Sequence, residues 1–243
     1  MSNESPLRSA FVFGARNLGR AVIELLTAEG WGVVGIARSQ STLDGVAATG
    51  ALALGGDITD PASVQQVLET AAAAHGRVDL VVNAASPYGG DRSGPFGGGV
   101  LSEATPDAFE PWAAAPARAT FTFLSTASAF LLAQGGPATV IQVTGGSARR
   151  VMPGRGLWAA GSFGVRALTN TAALELRESG VHVALLIVDA GIEPLHGAPP
   201  GQPTDGLADP RALADAVRFL ADQGARSATH ELQITPLAER WVP

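Results

Sequence analysis

Ala10-Phe11-Val12-Phe13-Gly14-Ala15-Arg16-Asn17-Leu18-Gly19-Arg20 is the stretch that decides the fold. Its first four residues are wholly apolar and read as a buried strand. From Leu18 to Glu29 the apolar positions Leu18, Val22, Leu25 and Leu26 fall on one helical face. The turn between them carries Gly14 and Gly19. Glycine lets a backbone approach a pyrophosphate closely, and a helix start offers it amide donors and the positive end of the dipole. Two glycines alone are a weak signal, so the weight falls on the motifs farther along the chain.

The same alternation continues down the chain. Strands are expected at Gly32–Ala37, Leu52–Leu54, Val78–Asn83, Thr139–Thr144, Val181–Val188 and Glu231–Ile234. Helices are expected from near Ser41, from Asp60-Pro61 to about His75, and over Pro106–Gln134, Leu157–Ser179 and Asp209–Gln223. Strands that are apolar throughout and separated by helices predict a parallel sheet covered on both faces. The expected architecture is α/β, a single Rossmann-type domain over residues 1–243 with a doubly wound, seven-stranded parallel sheet. Two Gly/Pro-rich loops, residues 87–99 (PYGGDRSGPFGGG) and 195–207 (LHGAPPGQPTDGL), leave the carboxyl ends of strands. Open α/β sheets bind ligands there, so both loops are expected to border a substrate site.

Composition narrows the classes further. A net charge of −6 disfavours a nucleic-acid partner, and the absence of cysteine removes disulfides and thiolate metal sites. The four histidines, at 75, 182, 196 and 230, have no metal-ligand spacing. No run is long enough to span a membrane and the first eight residues do not form a signal peptide, so a cytoplasmic protein is expected. All 16 basic residues are arginine and the only tyrosine is Tyr88. The lysine-free, Ala/Gly/Arg-rich composition is that expected of a GC-rich bacterial genome.

Further motifs sit at regular intervals: Asp57-Ile58-Thr59-Asp60 after the third strand and Val82-Asn83-Ala84-Ala85 closing the fourth. Ser162-Phe163-Gly164-Val165-Arg166-Ala167-Leu168 lies mid-helix, and Asp189-Ala190-Gly191-Ile192 follows the sixth strand. In order and spacing the chain resembles the short-chain dehydrogenase/reductase family over essentially its whole length. Its glycine turn is one residue shorter than the family's, with the middle glycine missing near Leu18. The resemblance implies a nicotinamide dinucleotide held by Gly14, Arg16, Asn17, Leu18 and Gly19. It places Asp57 and Ile58 at the adenine, Asn83, Ala84 and Ala85 along the ribose, and Ile192 at the nicotinamide carboxamide. NAD users carry a carboxylate at the end of the second strand. Here Ala37-Arg38-Ser39 offers Arg38, which can pair a 2′-phosphate in bidentate fashion, so NADP(H) is expected over NAD(H).

The family's chemistry, by the same resemblance, runs on an Asn-Ser-Tyr-Lys set. Aligned on Phe163–Leu168, the tyrosine position holds Trp158 and the lysine position Ser162. The serine position holds Gly145, with Ser147 two residues on, and the asparagine falls at about Pro116. Indole nitrogen does not titrate, so Trp158 can be neither general acid nor base. Tyr88, Ser147, Arg149, Arg150, Arg155, Glu193 and His196 are the candidates to replace what is lost, each of which also reads as ordinary packing or surface charge. The expectation is an NADP(H)-binding oxidoreductase with degenerate catalytic residues, acting on a small carbonyl or enone. The alternatives are a non-catalytic sensor or partner subunit, or a lyase or isomerase on the same fold. Apolar helices at 106–134 and 157–179 further predict a homodimer or homotetramer.

Overall fold

The computed structural model describes residues 7–86, 94–199, 201 and 203–239. Its main strands are β1 (Ser9–Phe13), β2 (Gly32–Ala37), β3 (Leu52–Gly55), β4 (Leu80–Asn83), β5 (Ala138–Gly145) and β6 (Val181–Val188). Two short strands, β7 (Gly191–Ile192) and β8 (Leu207–Ala208), precede the last, β9 (Glu231–Ile234). Seven of them form one parallel sheet in the order β3-β2-β1-β4-β5-β6-β9. β1, β4 and most of β5 and β6 are buried on both faces, which is why they read as unbroken apolar runs. The order reverses between β1 and β4, and that crevice lies at the strands' carboxyl ends.

Helices α1 (Leu18–Ala28), α2 (Gln40–Ala47) and α6 (Pro210–Ala221) cover one face. There Val22, Leu26, Val46, Leu213, Val217 and Leu220 pack on Ala10, Val12 and Leu186. Helices α3 (Pro61–His75), α4 (Ala115–Gln134) and α5 (Gly156–Leu176) cover the other around Phe11, Phe13 and Phe123. Phe13 and Phe123 meet edge to face at 5.3 Å. Asp60 and Asp209 each accept a bond from the amide two residues on, with proline in the first turn, capping α3 and α6.

The expected helix over residues 106–134 is not continuous. A 3₁₀ turn (Pro106–Ala108) and a π turn (Glu110–Ala114) precede α4. The cause is Pro116, which has no amide to return to the carbonyl of Trp112. A Cβ on Gly161 of α5 would stand 2.7 Å from that carbonyl oxygen, so glycine there lets α5 pack against the widened turn. The fourth strand starts at Leu80 rather than 78, and residues 177–179 form a 3₁₀ turn rather than the end of α5. The two short strands escaped the sequence reading. β7 pairs with β8 and closes the neck of the loop at 195–207.

Candidate active site

The glycine turn is built by close packing. Gly14 has φ +84°, and a Cβ on it would lie 2.4 Å from the amide nitrogen of Ala85. A Cβ on Gly19 would meet the carbonyl oxygen of Gly14 at the same distance. A side chain at Gly14 would drive the turn away from the end of β4, and one at Gly19 would push α1 off the turn. The Gly14 amide donates to Ile36 (3.0 Å) and the Arg16 amide to Gly14 (2.8 Å), fixing the loop before α1 begins. Leu18, where the family's middle glycine is missing, is buried in the core at the first residue of α1.

A cleft of about 730 Å³ runs along this turn. Arg38, Ser39, Thr42, Asp57 and Ile58 line one end, the turn from Gly14 to Leu18 its middle, and Ala84–Ser86, Val143 and Ile192 the other. Arg38 is 71% exposed, with Nη1 3.6 Å from Asp57 Oδ2. Asp57 Oδ1 accepts bonds from the Thr59 amide and hydroxyl. Partial burial works to raise the Asp57 pKa, but the Thr59 bonds and the Arg38 charge outweigh it, and the carboxyl titrates below its ordinary range. Such an exposed ion pair stabilises by only about 0–1 kcal/mol, so Arg38 is readily re-aimed at an incoming phosphate.

Two of the predicted cofactor-binding residues also brace the fold around the cleft. Asn83 is completely buried: its Nδ2 donates to Gln142 Oε1 and its Oδ1 accepts from the Ala85 amide. It braces β4 against β5 beneath the cleft, and Ala84 and Ala85 form the wall. The Asn17 side chain spans from the glycine turn to the segment after β6. It donates to the Glu193 carbonyl (3.0 Å) and accepts from the Leu195 amide (2.8 Å). Asn17 lines the cleft together with the rest of the turn.

The cleft opens into a second cavity of about 210 Å³, the two sharing Ala84, Ala85, Ser86, Val143 and Ile192. Pro116, Gly145, Trp158 and Ser162, the four positions where the sequence departs from the expected catalytic set, line this cavity together. A Cβ on Gly145 would stand 3.9 Å from the benzo edge of Trp158, so the indole lies over the glycine. Phe96 and Trp112 pack against Trp158 with ring centroids at 5.5 and 6.0 Å. Besides the Trp158 indole, the polar side chains on the described wall are the hydroxyls of Ser86, Thr120, Thr144 and Ser162 and the Gln142 amide. Among the described residues no titratable side chain lines the cavity.

The expected substitutes are dispersed. Ser147 is buried in the 3₁₀ turn Gly146–Ala148, off the cavity wall. Arg150 forks onto Asp189 at 2.8 and 3.0 Å, with both side chains largely buried. The Asp189 carboxylate takes the space a Cβ on Gly146 would need. Arg149 donates to Gln233, and Arg155 lies over the Phe96 ring at 5.2 Å. Glu193 and His196 follow β7 and line neither cavity, His196 being exposed. Tyr88 lies outside the described residues, as does most of the loop at 87–99.

Comparison with known proteins identifies the family and the fold. Residues 8–191 match the model of the short chain dehydrogenase family. The chain belongs to that family. It is 29% identical over 188 residues to an uncharacterized NAD-dependent oxidoreductase of Mycobacterium tuberculosis, covering 70% of this chain and 65% of the relative. It is 45% identical over 80 residues to the 3-oxoacyl-(acyl-carrier-protein) reductase of Escherichia coli, which covers 30% of this chain and 32% of that one. The chain thus spans less than two thirds of the length of these relatives. The structure superposes on an alcohol dehydrogenase from Thermococcus sibiricus, solved with 5-hydroxy-NADP, with a TM-score of 0.79. That match has 23% identity and covers 98% of this chain and all of the other.

Short chain dehydrogenases bind nicotinamide cofactors, and the retained glycine turn and cleft fit one. The Asn17 clamp was not disclosed by the sequence because its partners lie 176 and 178 residues away. Removing both bonds in Asn17→Ala should cost roughly 1–3 kcal/mol locally. Hydrogen–deuterium exchange of residues 193–197 should quicken and cofactor affinity should fall. Unchanged exchange there would show that the clamp does not hold the segment.

Proposed function

We propose that this short chain dehydrogenase is an NADP(H)-binding oxidoreductase whose ordinary proton-transfer residues have been replaced, acting on a small, largely apolar acceptor. The observation that carries the reading is the contrast between its two connected cavities. The dinucleotide end keeps the glycine turn and two exposed arginines, while the end beside Trp158 has no titratable wall residue among those described.

Arg38, with Arg16 in the turn and the Ser39–Thr42 hydroxyl pair beside it, supplies donors for a 2′-phosphate. The first amides of α1 face the pyrophosphate. When bound, the cofactor supplies or accepts a hydride at its nicotinamide. Ala84, Val143 and Ile192 exclude water around that end, and the hydroxyls of Thr120, Thr144 and Ser162 orient a substrate by hydrogen bonding. None of these can move a proton at neutral pH, so conventional carbonyl reduction is severely weakened. The same neutral lining supports a second reading, a cofactor-binding sensor or partner subunit without turnover. An assay of NADPH consumption across a broad panel of acceptors separates the two: consumption of any acceptor above background supports the first, and tight binding without consumption the second.

The chain is also proposed to be a homodimer or homotetramer. Phe121 and Leu132 on α4, and Phe163 and Leu174 on α5, are 41–62% exposed. Within each helix they lie about three turns apart and share a face. A second copy would cover them. Light scattering at micromolar concentration should give a multiple of 24.6 kDa, and Phe121→Asp with Phe163→Asp should reduce it. A monomeric mass for the native protein would contradict this.

A further inference from the structure

Among the described residues, the wall of the cavity beside Trp158 holds no acid to offer a substrate. Its described wall presents hydroxyls, one carboxamide and the Trp158 indole, and on adjoining elements Arg155 lies over the Phe96 ring while two other arginines are held in ion pairs. Arg150 grips Asp189 at the end of β6, and Arg166 of α5 holds Glu231, which also accepts from Asn170. A ketone that accepts a hydride becomes an alkoxide and needs a proton. An iminium ion needs none. One C–H bond forms at its carbon, the C=N π pair moves onto nitrogen, and a neutral amine results while the reduced nicotinamide is left oxidised.

The wall also suits a cation. Trp158 stands on it, with Phe96 and Trp112 packed behind, and indole faces attract organic cations. The hydroxyl oxygens of Thr120, Thr144 and Ser162 can turn their lone pairs inward, and no guanidinium on the described wall opposes positive charge. We propose, resting on the oxidoreductase reading above, that this cavity takes a flat iminium cation as its hydride acceptor, with Trp158 as the cation-binding residue.

The probes are N-methyl-3,4-dihydroisoquinolinium, which is permanently charged, and 1-tetralone, a neutral ketone of matching shape. Calorimetry on the native protein without added cofactor should show the iminium binding about tenfold more tightly than the ketone. Trp158→Leu should weaken the iminium by about 3- to 30-fold while leaving the ketone within about twofold. Trp158→Phe, which keeps a ring and guards against misfolding, should retain most of the preference. With NADPH, iminium reduction should be flat between about pH 6 and 8, because no protein group donates a proton. Equal binding of the two probes, equal losses for both in Trp158→Leu, or a titrating limb in the iminium rate would overturn the proposal. Preference for the cation without any binding of NADPH would overturn the oxidoreductase reading and leave the cation site standing. NADPH binding without that preference would do the reverse.

Discussion

Purified protein saturated with NADPH should reduce simple ketones about 10²–10⁴-fold more slowly than a relative with a positioned proton donor, a barrier roughly 3–5 kcal/mol higher. The reason is the wall of the smaller cavity. Trp158 and Ser162 occupy one face of α5 where a titratable pair would stand, and the chain has no lysine to tune a phenol. Gly145→Ser, Trp158→Tyr and Ser162→Lys together should recover at least about tenfold in turnover. The geometry permits the serine, since a Cβ at residue 145 meets only the Trp158 ring edge and the Val188 carbonyl, both at ordinary contact distance. Pro116 stays in place, so the recovery is partial. If the unmodified protein already reduces ketones at ordinary rates, a donor outside the described wall exists. Tyr88→Phe would then be the decisive variant, with a fall of at least about tenfold expected if Tyr88 is that donor.

The second large effect concerns cofactor choice. Arg38→Ala should cost roughly 1.5–3 kcal/mol of NADPH affinity, about 10- to 150-fold, and leave NADH little changed. The Arg38 guanidinium rests near Asp57 at 3.6 Å, an exposed pair that competes weakly with a phosphate. Asp57 has a depressed pKa, so the pair is complete at neutral pH and weakens only as acidification protonates the carboxyl. Calorimetry with both nucleotides checks this. An unchanged preference in the variant, or tighter NADH binding in the native chain, would remove Arg38 from the 2′-phosphate site.

The central strands were legible because β-branched and apolar runs buried on both faces leave a continuous signal, as Val181–Val188 does, while the edge strands β3 and β9 are only partly buried. The glycine turn was legible because positions 14 and 19 admit no Cβ. Boundaries failed where tertiary packing set them: a proline at 116 predicts a disturbed helix, but only its pairing with Gly161 shows how the disturbance is housed. Alignment on residues 163–168 named four positions that the fold gathers on one cavity. The roles of Asn17 and Asn83 were not legible, because each side chain is claimed by partners distant in sequence. Arg150 read as a candidate oxyanion donor, whereas its buried fork onto Asp189 is invisible from either residue alone.

The central claim is that a working dinucleotide site adjoins a chemically neutral one, and the fluorescence of protein-bound NADPH tests both halves at once. Adding NADPH to the native protein should give the enhanced emission of a sequestered nicotinamide. That signal should persist after a simple ketone is mixed in, across the neutral pH range. Absence of enhancement would deny the cofactor site, and rapid loss of the signal on adding the ketone would show that the cavity beside Trp158 has a proton donor after all.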